Sequence, residues 1–555
     1  MTAAIYFTPD GYMPTADKLM GRHAAGAGFL RGFVATEAGS AIWGHSPRGN
    51  FAKPFTNTLR QLGFGGTIHH LPIERHAELA QPGCVYFPGP GLADFAWRRM
   101  TAGARAYSLC GVTHTTASHA AMGAIADLPV APLQAWDAVV CTSTAVRDSV
   151  RLIVETQADY LRWRLGATRF ELPQTPLIPL GVACEDFVFS AAQRAAARDA
   201  LGIAENDVVV LFVGRLSFHA KAHPQPMYLA LERAAATAAG KVHLIQCGWF
   251  ANDAIDAAFK SAAAELSASV RHHFLDGRIA DDRGRAWAAA DIFVSLSDNI
   301  QETFGLTPIE AMAAGLPVVV SDWDGYRDTV RHGIDGYRVP TVMPPAPLGQ
   351  DLADRYTAGI DSYDVYCGHS CELVAVDTAA AADALRRLID DPALRRRMGD
   401  AGRQRAREAY DWKRILLRYR NLWEELGERR RSDPVLFREQ PAASRPDRLD
   451  PFAMFASYPS GLLADDMRLH LVAGATAATL AARRRLALNT FAEYVYPSAA
   501  ECEAVLDRVA ATPGIGVGVI VAAFPGERQA AVKRGLAWMM KMDVLCVPPL
   551  GADAI

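Results

Sequence analysis

The sequence predicts an α/β fold: two doubly wound domains facing a cleft, followed by a small, mainly helical C-terminal extension. Three observations predict it. Short apolar runs alternate with helical patterns rich in Ala, Leu, Arg and Glu through most of the chain, the order that gives parallel sheets with crossover helices. The phrase Ile178-Pro179-Leu180-Gly181-Val182 reads as a strand end and turn midway along this alternation, and marks a hinge between two α/β halves. After Leu426 the pattern breaks, because residues 428–448 are dense in Arg, Pro, Ser and Asp and carry no apolar periodicity, which is linker composition.

Length agrees with several cores, since 555 residues exceed one ordinary domain. The divisions expected are 1–183, 184–426, a linker at 427–448 and a third unit at 449–555. A formal net charge of −3 gives no global attraction to nucleic acid or anionic membrane. The start runs straight into a short apolar strand without a basic flank, so no signal peptide is expected, and no apolar run reaches membrane-spanning length. The nine cysteines lie scattered, mostly in apolar strands. The lone pair Cys367 and Cys371 lacks two further ligands at metal-site spacing, so reduced cytoplasmic thiols are expected.

The elements follow in order. In the first half, strands are expected at 3–7, 84–87, 106–110 and 138–141. The glycines of Gly11-Tyr12-Met13 and of 21–28, ending at Gly28, let backbone approach a ligand or let a helix pack closely, and both readings stand. His114 follows a strand end, either as a cleft-facing group or as a structural polar residue. In the second half, strands are expected at 208–213, 243–247, 272–275, 292–296 and 318–321.

Gly214-Arg215-Leu216 ends the 208–213 strand, Lys221 follows in the loop, and a helix begins near Pro226. Ligands of open α/β sheets bind beyond the carboxyl ends of strands. There Arg215 and Lys221 would supply a planar fork and a point charge for a diphosphate; otherwise they are solvated loop cations.

The run 299–315 holds Glu302, Thr303, Phe304, Gly305, Leu306, Thr307, Pro308 and Glu310. Thr307 is expected as the N-cap and Pro308 as the first helical residue. The free N–H groups of that turn and of the Gly305 loop would then face an anion. Glu302 is placed to bond sugar hydroxyls and Glu310 to accept both hydroxyls of a ribose. The competing reading of Thr307-x-x-Glu310 is a capping box, a structural device worth about 1 kcal/mol. Asp322-Trp323-Asp324 spells the D-x-D of metal-dependent transferases, but its place after a strand reads as turn chemistry.

Together these phrases resemble the retaining glycosyltransferases of family 4, which have the GT-B fold of two Rossmann-like domains. The E-x7-E signature falls at Glu302 and Glu310, inside ETFGLTPIEAMAAGLPVVVSD. Supporting phrases are FVGRL with Lys221, IPLGV with Phe187, DGYRV at 335–339, and Tyr410-Asp411-Trp412 ahead of a last helix, about 410–426, that returns to the first domain. The resemblance spans roughly 1–426 and is strongest in the second half. In one departure, Ala222 stands where the family has Gly after the lysine, in a loop one residue longer.

The resemblance implies roles. Arg215 and Lys221 hold the donor diphosphate, helped by the N–H groups of Leu306 and Thr307. Glu310 binds the ribose. Glu302, with the backbone of Thr303, Phe304 and Gly305, holds the transferred sugar, and His114 contacts it. Arg278 lies against the base edge, and Gly28 belongs to the first glycine loop and helix. No metal and no permanently bound cofactor are implied; the donor is a UDP-, GDP- or ADP-sugar. The acceptor is a saccharide, a lipid-linked molecule or a small molecule. The alternatives are a phosphorylase on the same fold and a non-catalytic sugar-nucleotide regulator.

The extension reads as helices at 501–510 and 528–541 around a short piece at 517–524, with a strand at 544–547. This resembles a winged-helix module without a wing hairpin. The last helix carries Lys533, Arg534 and Lys541 but also Trp538, Met539 and Met540. Packing or homo-oligomerisation is therefore expected ahead of nucleic-acid binding, and peripheral membrane contact is admitted through local basic patches.

Overall fold

A computed structural model describes residues 2–13, 21–37, 41–435 and 445–547. It divides into two compact units, Met1–Arg445 and Pro446–Ile555.

The first unit is built on two six-stranded sheets. One contains β1 (Ala4–Tyr6), β2 (Ala41–Ser46), β3 (Thr67–Pro72), β4 (Cys84–Phe87), β5 (Ser108–Val112) and β6 (Ala138–Val140). Its order is β3-β2-β1-β4-β5-β6, and every pairing is parallel. The other contains β7 (Val208–Val213), β8 (Val242–Gly248), β9 (Arg271–Asp276), β10 (Ile292–Ser295), β11 (Val318–Ser321) and β12 (Gly336–Val339). Its order is β12-β11-β10-β7-β8-β9, again all parallel. Both follow the same doubly wound plan, so each has a switch point, between β1 and β4 and between β7 and β10, where loops leave in opposite directions and open a crevice.

Parallel strands covered on both faces read as continuous apolar runs, and these do: Val208 to Phe212 and Val318 to Val320 are buried throughout. β2 and β3 escaped the sequence reading. β3 is a half-buried edge strand carrying His69 and His70, and β2 is interrupted by Gly44, where a Cβ would run into the Phe55 ring. Neither has the apolar density of a central strand. The strand expected at 106–110 begins at Ser108, just after Tyr107, whose carbonyl accepts from Arg99 Nη1 at 2.9 Å.

Two chain crossings join the halves. Val182 N–H donates to Tyr410 O at 2.8 Å and Trp412 N–H to Val182 O at 3.2 Å, so the crossings run side by side. The helix Trp412–Ser432 then lies in the core of the first domain, where Trp412, Ile415, Tyr419, Trp423 and Leu426 pack with Phe29, Phe33 and Tyr86. It continues past Leu426 into the expected linker. Arg430 extends that packing by donating to the carbonyls of Gly83, at 2.5 Å, and of Ala106, at 3.3 Å. Of the expected linker, residues 436–444 lie outside the described residues.

After β12 the chain leaves the α/β pattern. β13 (Thr341–Val342) and β14 (Ala375–Val376) pair antiparallel and close the base of an excursion holding the helices Gln350–Thr357 and Tyr363–Cys371.

The second unit is mainly helical around a small antiparallel sheet of β15 (Arg468–Leu471), β16 (Ile515–Gly516) and β17 (Leu545–Cys546), in the order β16-β15-β17. Its core gathers Leu469, Val505, Val517, Ile520, Val532, Leu536 and Met539. The expected helices are Ala499–Ala511, Val517–Ala522 and Gly526–Lys541; β15 was not foreseen, and residues 548–555 lie outside the described ones. Among the described residues no helix is long and apolar enough to cross a membrane.

Candidate active site

The residues singled out in the second half converge on the β7–β10 switch point. β7 leads into Arg215 and Lys221, and β10 leads through Asp298 and Glu302 into the helix Leu306–Ala314. Lys221 Nζ donates to Glu302 Oε2. Arg215 Nη2 donates to Ala220 O at 2.7 Å and to Gln301 Oε1 at 3.0 Å. Both cations are therefore fixed by groups from the facing loop, rather than free in solvent. The longer loop with Ala222 keeps its reach, because Asn299 Nδ2 holds it by donating to His219 O at 3.0 Å.

Electrostatics follow from burial. Desolvation opposes the Lys221 ammonium, but the adjacent Glu302 carboxylate prevails and holds its pKa above the ordinary value. Burial likewise works against Glu302, yet Lys221 and the backbone N–H groups of Phe304 and Thr303 keep it below the usual range. Glu310 behaves differently: burial pushes it up to about 7, only partly offset by the charges of Lys221 and Arg283. Its carboxylate accepts no hydrogen bond from any described residue.

The helix start differs from the expectation. The N-cap is Gly305, at φ 87° and ψ 82°, and Leu306 is the first helical residue. Pro308 sits third, and Thr307 makes no capping bond; its hydroxyl is buried without a partner. The capping box Thr307-x-x-Glu310 therefore does not form, and Glu310 falls beyond the first turn. The physical reason is Gly305. Its left-handed conformation suits glycine, and a Cβ there would overlap the Tyr326 ring, so the chain turns into the helix earlier than Thr307. The N–H groups of Leu306 and Thr307 remain at the open end of the helix, where the peptide dipoles favour an anion.

The first domain meets this loop directly. Thr303 Oγ1 donates to His114 O at 2.8 Å, and Thr142 Oγ1 donates to Thr303 O at 3.1 Å. His114 thus lies at the interdomain face. Phe304 is buried in the second domain's core, which leaves its backbone as the part toward the crevice.

Gly28 and Arg278 make other contacts. Gly28 faces Trp412: a Cβ would come within 2.6 Å of its Nε1. The residue serves close packing of the helix Gly21–Thr36 against the returning helix. Arg278 is folded onto its own loop, with Nη2 2.8 Å from Asp276 Oδ2. Asp322-Trp323-Asp324 is a turn: Asp324 has φ 41° and its Oδ1 accepts from Ser143 Oγ at 2.9 Å.

Gln301, Arg283 and Tyr326 were not foreseen. Gln301 buttresses Arg215, Arg283 lends positive charge to Glu310, and Tyr326, bonded to Ser295 Oγ at 2.9 Å, walls the Gly305 turn. Gln301 adjoins the acidic motif and was open to notice; the other two act through folding alone.

Comparison with known proteins adds the following. Residues 193–346 match the family described as glycosyl transferases group 1. A D-inositol 3-phosphate glycosyltransferase of Geodermatophilus obscurus is 32% identical over 233 residues, 40% of this chain and 47% of that protein. A phosphatidyl-myo-inositol mannosyltransferase of Mycobacterium leprae is 35% identical over 133 residues, 24% of this chain and 26% of that protein. The chain spans about half the length of the inositol-phosphate relatives it matches. Among solved structures, Anabaena HepE in complex with UDP is similar over 77% of this chain and 100% of that one, at 16% identity and a TM-score of 0.49.

Proposed function

We propose that this chain, whose residues 193–346 match the glycosyl transferases group 1 family, transfers a sugar from a nucleotide-diphospho-sugar to an acceptor hydroxyl, with retention of anomeric configuration. The observation that carries the reading is the convergence of Arg215, Lys221 and the open end of the Leu306 helix on the β7–β10 crevice, beside Glu302 and an uncommitted Glu310.

In this reading the diphosphate sits on the Leu306 and Thr307 N–H groups between Arg215 and Lys221. Glu310 accepts the two ribose hydroxyls, and Arg278 swings from Asp276 to the base. Glu302 and the Thr303–Gly305 backbone hold the sugar, with His114 facing it from the first domain. The bond between the anomeric carbon and the β-phosphate oxygen breaks as the acceptor oxygen attacks from the same face. The acceptor proton passes to the departing phosphate oxygen. Negative charge grows on that oxygen, and the two cations and the helix end stabilise it. Closure about the 178–187 crossing keeps water from the donor.

The test is a panel of UDP-, GDP- and ADP-sugars, read by thermal shift and by release of nucleoside diphosphate. One nucleotide class is expected to stabilise the protein and turn over, and Glu310→Gln and Arg215→Ala each to lose most of that turnover while folding normally. A panel without binding overturns the reading.

A further inference from the structure

We propose that the 343–374 excursion is the acceptor-side wall of the cleft, and that Tyr356 and Tyr363, held by His119 and Thr115, limit the acceptor to a small molecule or a chain end. The proposal rests on the glycosyl-transfer reading and deepens it.

The excursion is stiff. Asp361, buried at its turn, accepts from Arg355 Nη2 at 2.7 Å and Nε at 3.0 Å, and pairs with His369 Nδ1 at 3.2 Å. Tyr356 stacks on Tyr366 with centroids 4.3 Å apart and planes 4° from parallel. Its two helices are thus one body.

That body touches both domains beside the donor crevice. Toward the second domain, Cys371 Sγ lies 3.6 Å from Phe218 O, and Gly368 permits close approach to His219, whose Cβ would lie 2.9 Å from an added Cβ. The Lys221 loop is therefore backed by the helix Tyr363–Cys371. Toward the first domain, the His119 ring stacks on Tyr356 at 3.7 Å, its backbone N–H donates to Tyr356 Oη at 3.0 Å, and its Nε2 lies 3.1 Å from Tyr356 O. Next to His114, Thr115 Oγ1 lies 3.3 Å from Tyr363 Oη. A second set of bridges follows β6, the neighbour of β5 in the first sheet: Ser143 Oγ to Asp324 at 2.9 Å and Thr144 N–H to Asp328 Oδ2 at 2.6 Å.

With the β5–β6 edge bridged in this way, an extended glycan cannot run through the cleft and out past that edge. An acceptor that enters from the other side meets this wall end-on and presents one hydroxyl to the anomeric carbon. Because Tyr356, Tyr363, His119 and Thr115 are engaged with one another, they act as positioning residues.

The experiment compares the wild type with His119→Ala, Tyr356→Ala, Tyr356→Phe and Thr115→Val, using the nucleotide sugar that the donor panel identifies. Three quantities are read: affinity for the matching nucleoside diphosphate, the ratio of donor hydrolysis by water to transfer, and the size range of acceptors among monosaccharides, inositol and oligosaccharides. His119→Ala and Tyr356→Ala are expected to keep nucleotide affinity within about twofold, raise the hydrolysis ratio about tenfold and admit longer acceptors. Tyr356→Phe keeps the ring stack and is expected to restore most of the ratio. Thr115→Val removes the contacts of Thr115 Oγ1 with Tyr363 Oη and the Ala117 N–H without a cavity, is expected to raise the ratio as well, and keeps the test decisive should the alanine variants fold poorly. An unchanged ratio and acceptor range in folded variants overturns the wall. A wild type that binds no nucleotide sugar overturns the glycosyl-transfer reading instead.

Discussion

The Lys221 ammonium donates to the Glu302 carboxylate, joining the loop after β7 to the loop after β10. Side-chain exposures of 22% and 12% leave little solvent to screen the pair. Removing one partner of such a pair strands the other charge, at a cost that reaches about 3–5 kcal/mol when burial is complete and less here. Lys221→Met and Glu302→Gln are each expected to lower Tm and abolish turnover. The double variant is expected to regain most of the lost Tm, since no lone charge remains, while staying inactive. A double variant that turns over would reduce the pair to a structural strut.

Gly305 supports a second prediction. Its positive φ of 87° costs a residue with a Cβ about 1–2 kcal/mol, and the overlap with Tyr326 adds to this. Gly305→Ala is expected to lose more than about 2 kcal/mol in denaturant melts. Nucleotide affinity is expected to fall as well, because the Leu306 and Thr307 N–H groups shift with the turn. Retained affinity in the folded fraction would mean that the helix end does not carry the diphosphate.

These two positions also separate what the sequence makes readable from what it hides. The charges at 215, 221, 302 and 310 stand in strand-loop-helix phrases, and ligand chemistry can be inferred from such phrases because loops at strand ends have few other uses for them. The helix start was misread at Thr307 and Pro308 because capping statistics favour them. The deciding factor, room beside Tyr326 for a glycine but not for a Cβ, exists only once β11 and the turn after it have packed. β3 and the 343–374 excursion were unreadable for a related reason: neither carries apolar periodicity of its own, and each is stabilised by what it lies against.

Gly28 supports a third prediction, which follows from its packing against Trp412. An added methyl would collide with the Trp412 indole, and overpacking of this kind costs about 1–3 kcal/mol. Gly28→Ala is expected to lower stability with nucleotide affinity of the folded protein unchanged. Unchanged Tm together with a tenfold loss of affinity would return this glycine to the ligand site.

Glu310 supports a prediction about pH. Burial lifts its carboxyl to about 7, above the value near 4.3 of an unfolded chain. A raised acid contributes stability that is fully present below the unfolded pKa and is lost as pH rises through the folded one. The same sign applies to Asp298 and Asp324, which burial also lifts to about 7. The ligand-free protein is therefore expected to gain stability between pH 8 and pH 6. Donor binding is expected to move the opposite way, because only the ionised Glu310 accepts both ribose hydroxyls. With a pKa near 7, affinity for a nucleotide sugar, whose diphosphate diester does not titrate in this range, is expected to be about tenfold weaker at pH 6 than at pH 8. Calorimetric titration across that range checks it, with Glu310→Gln as the control whose profile should be flat. A wild-type profile as flat as that of Glu310→Gln would remove the ribose from Glu310, and the search for its partner would move to Arg283 and the loop after β9.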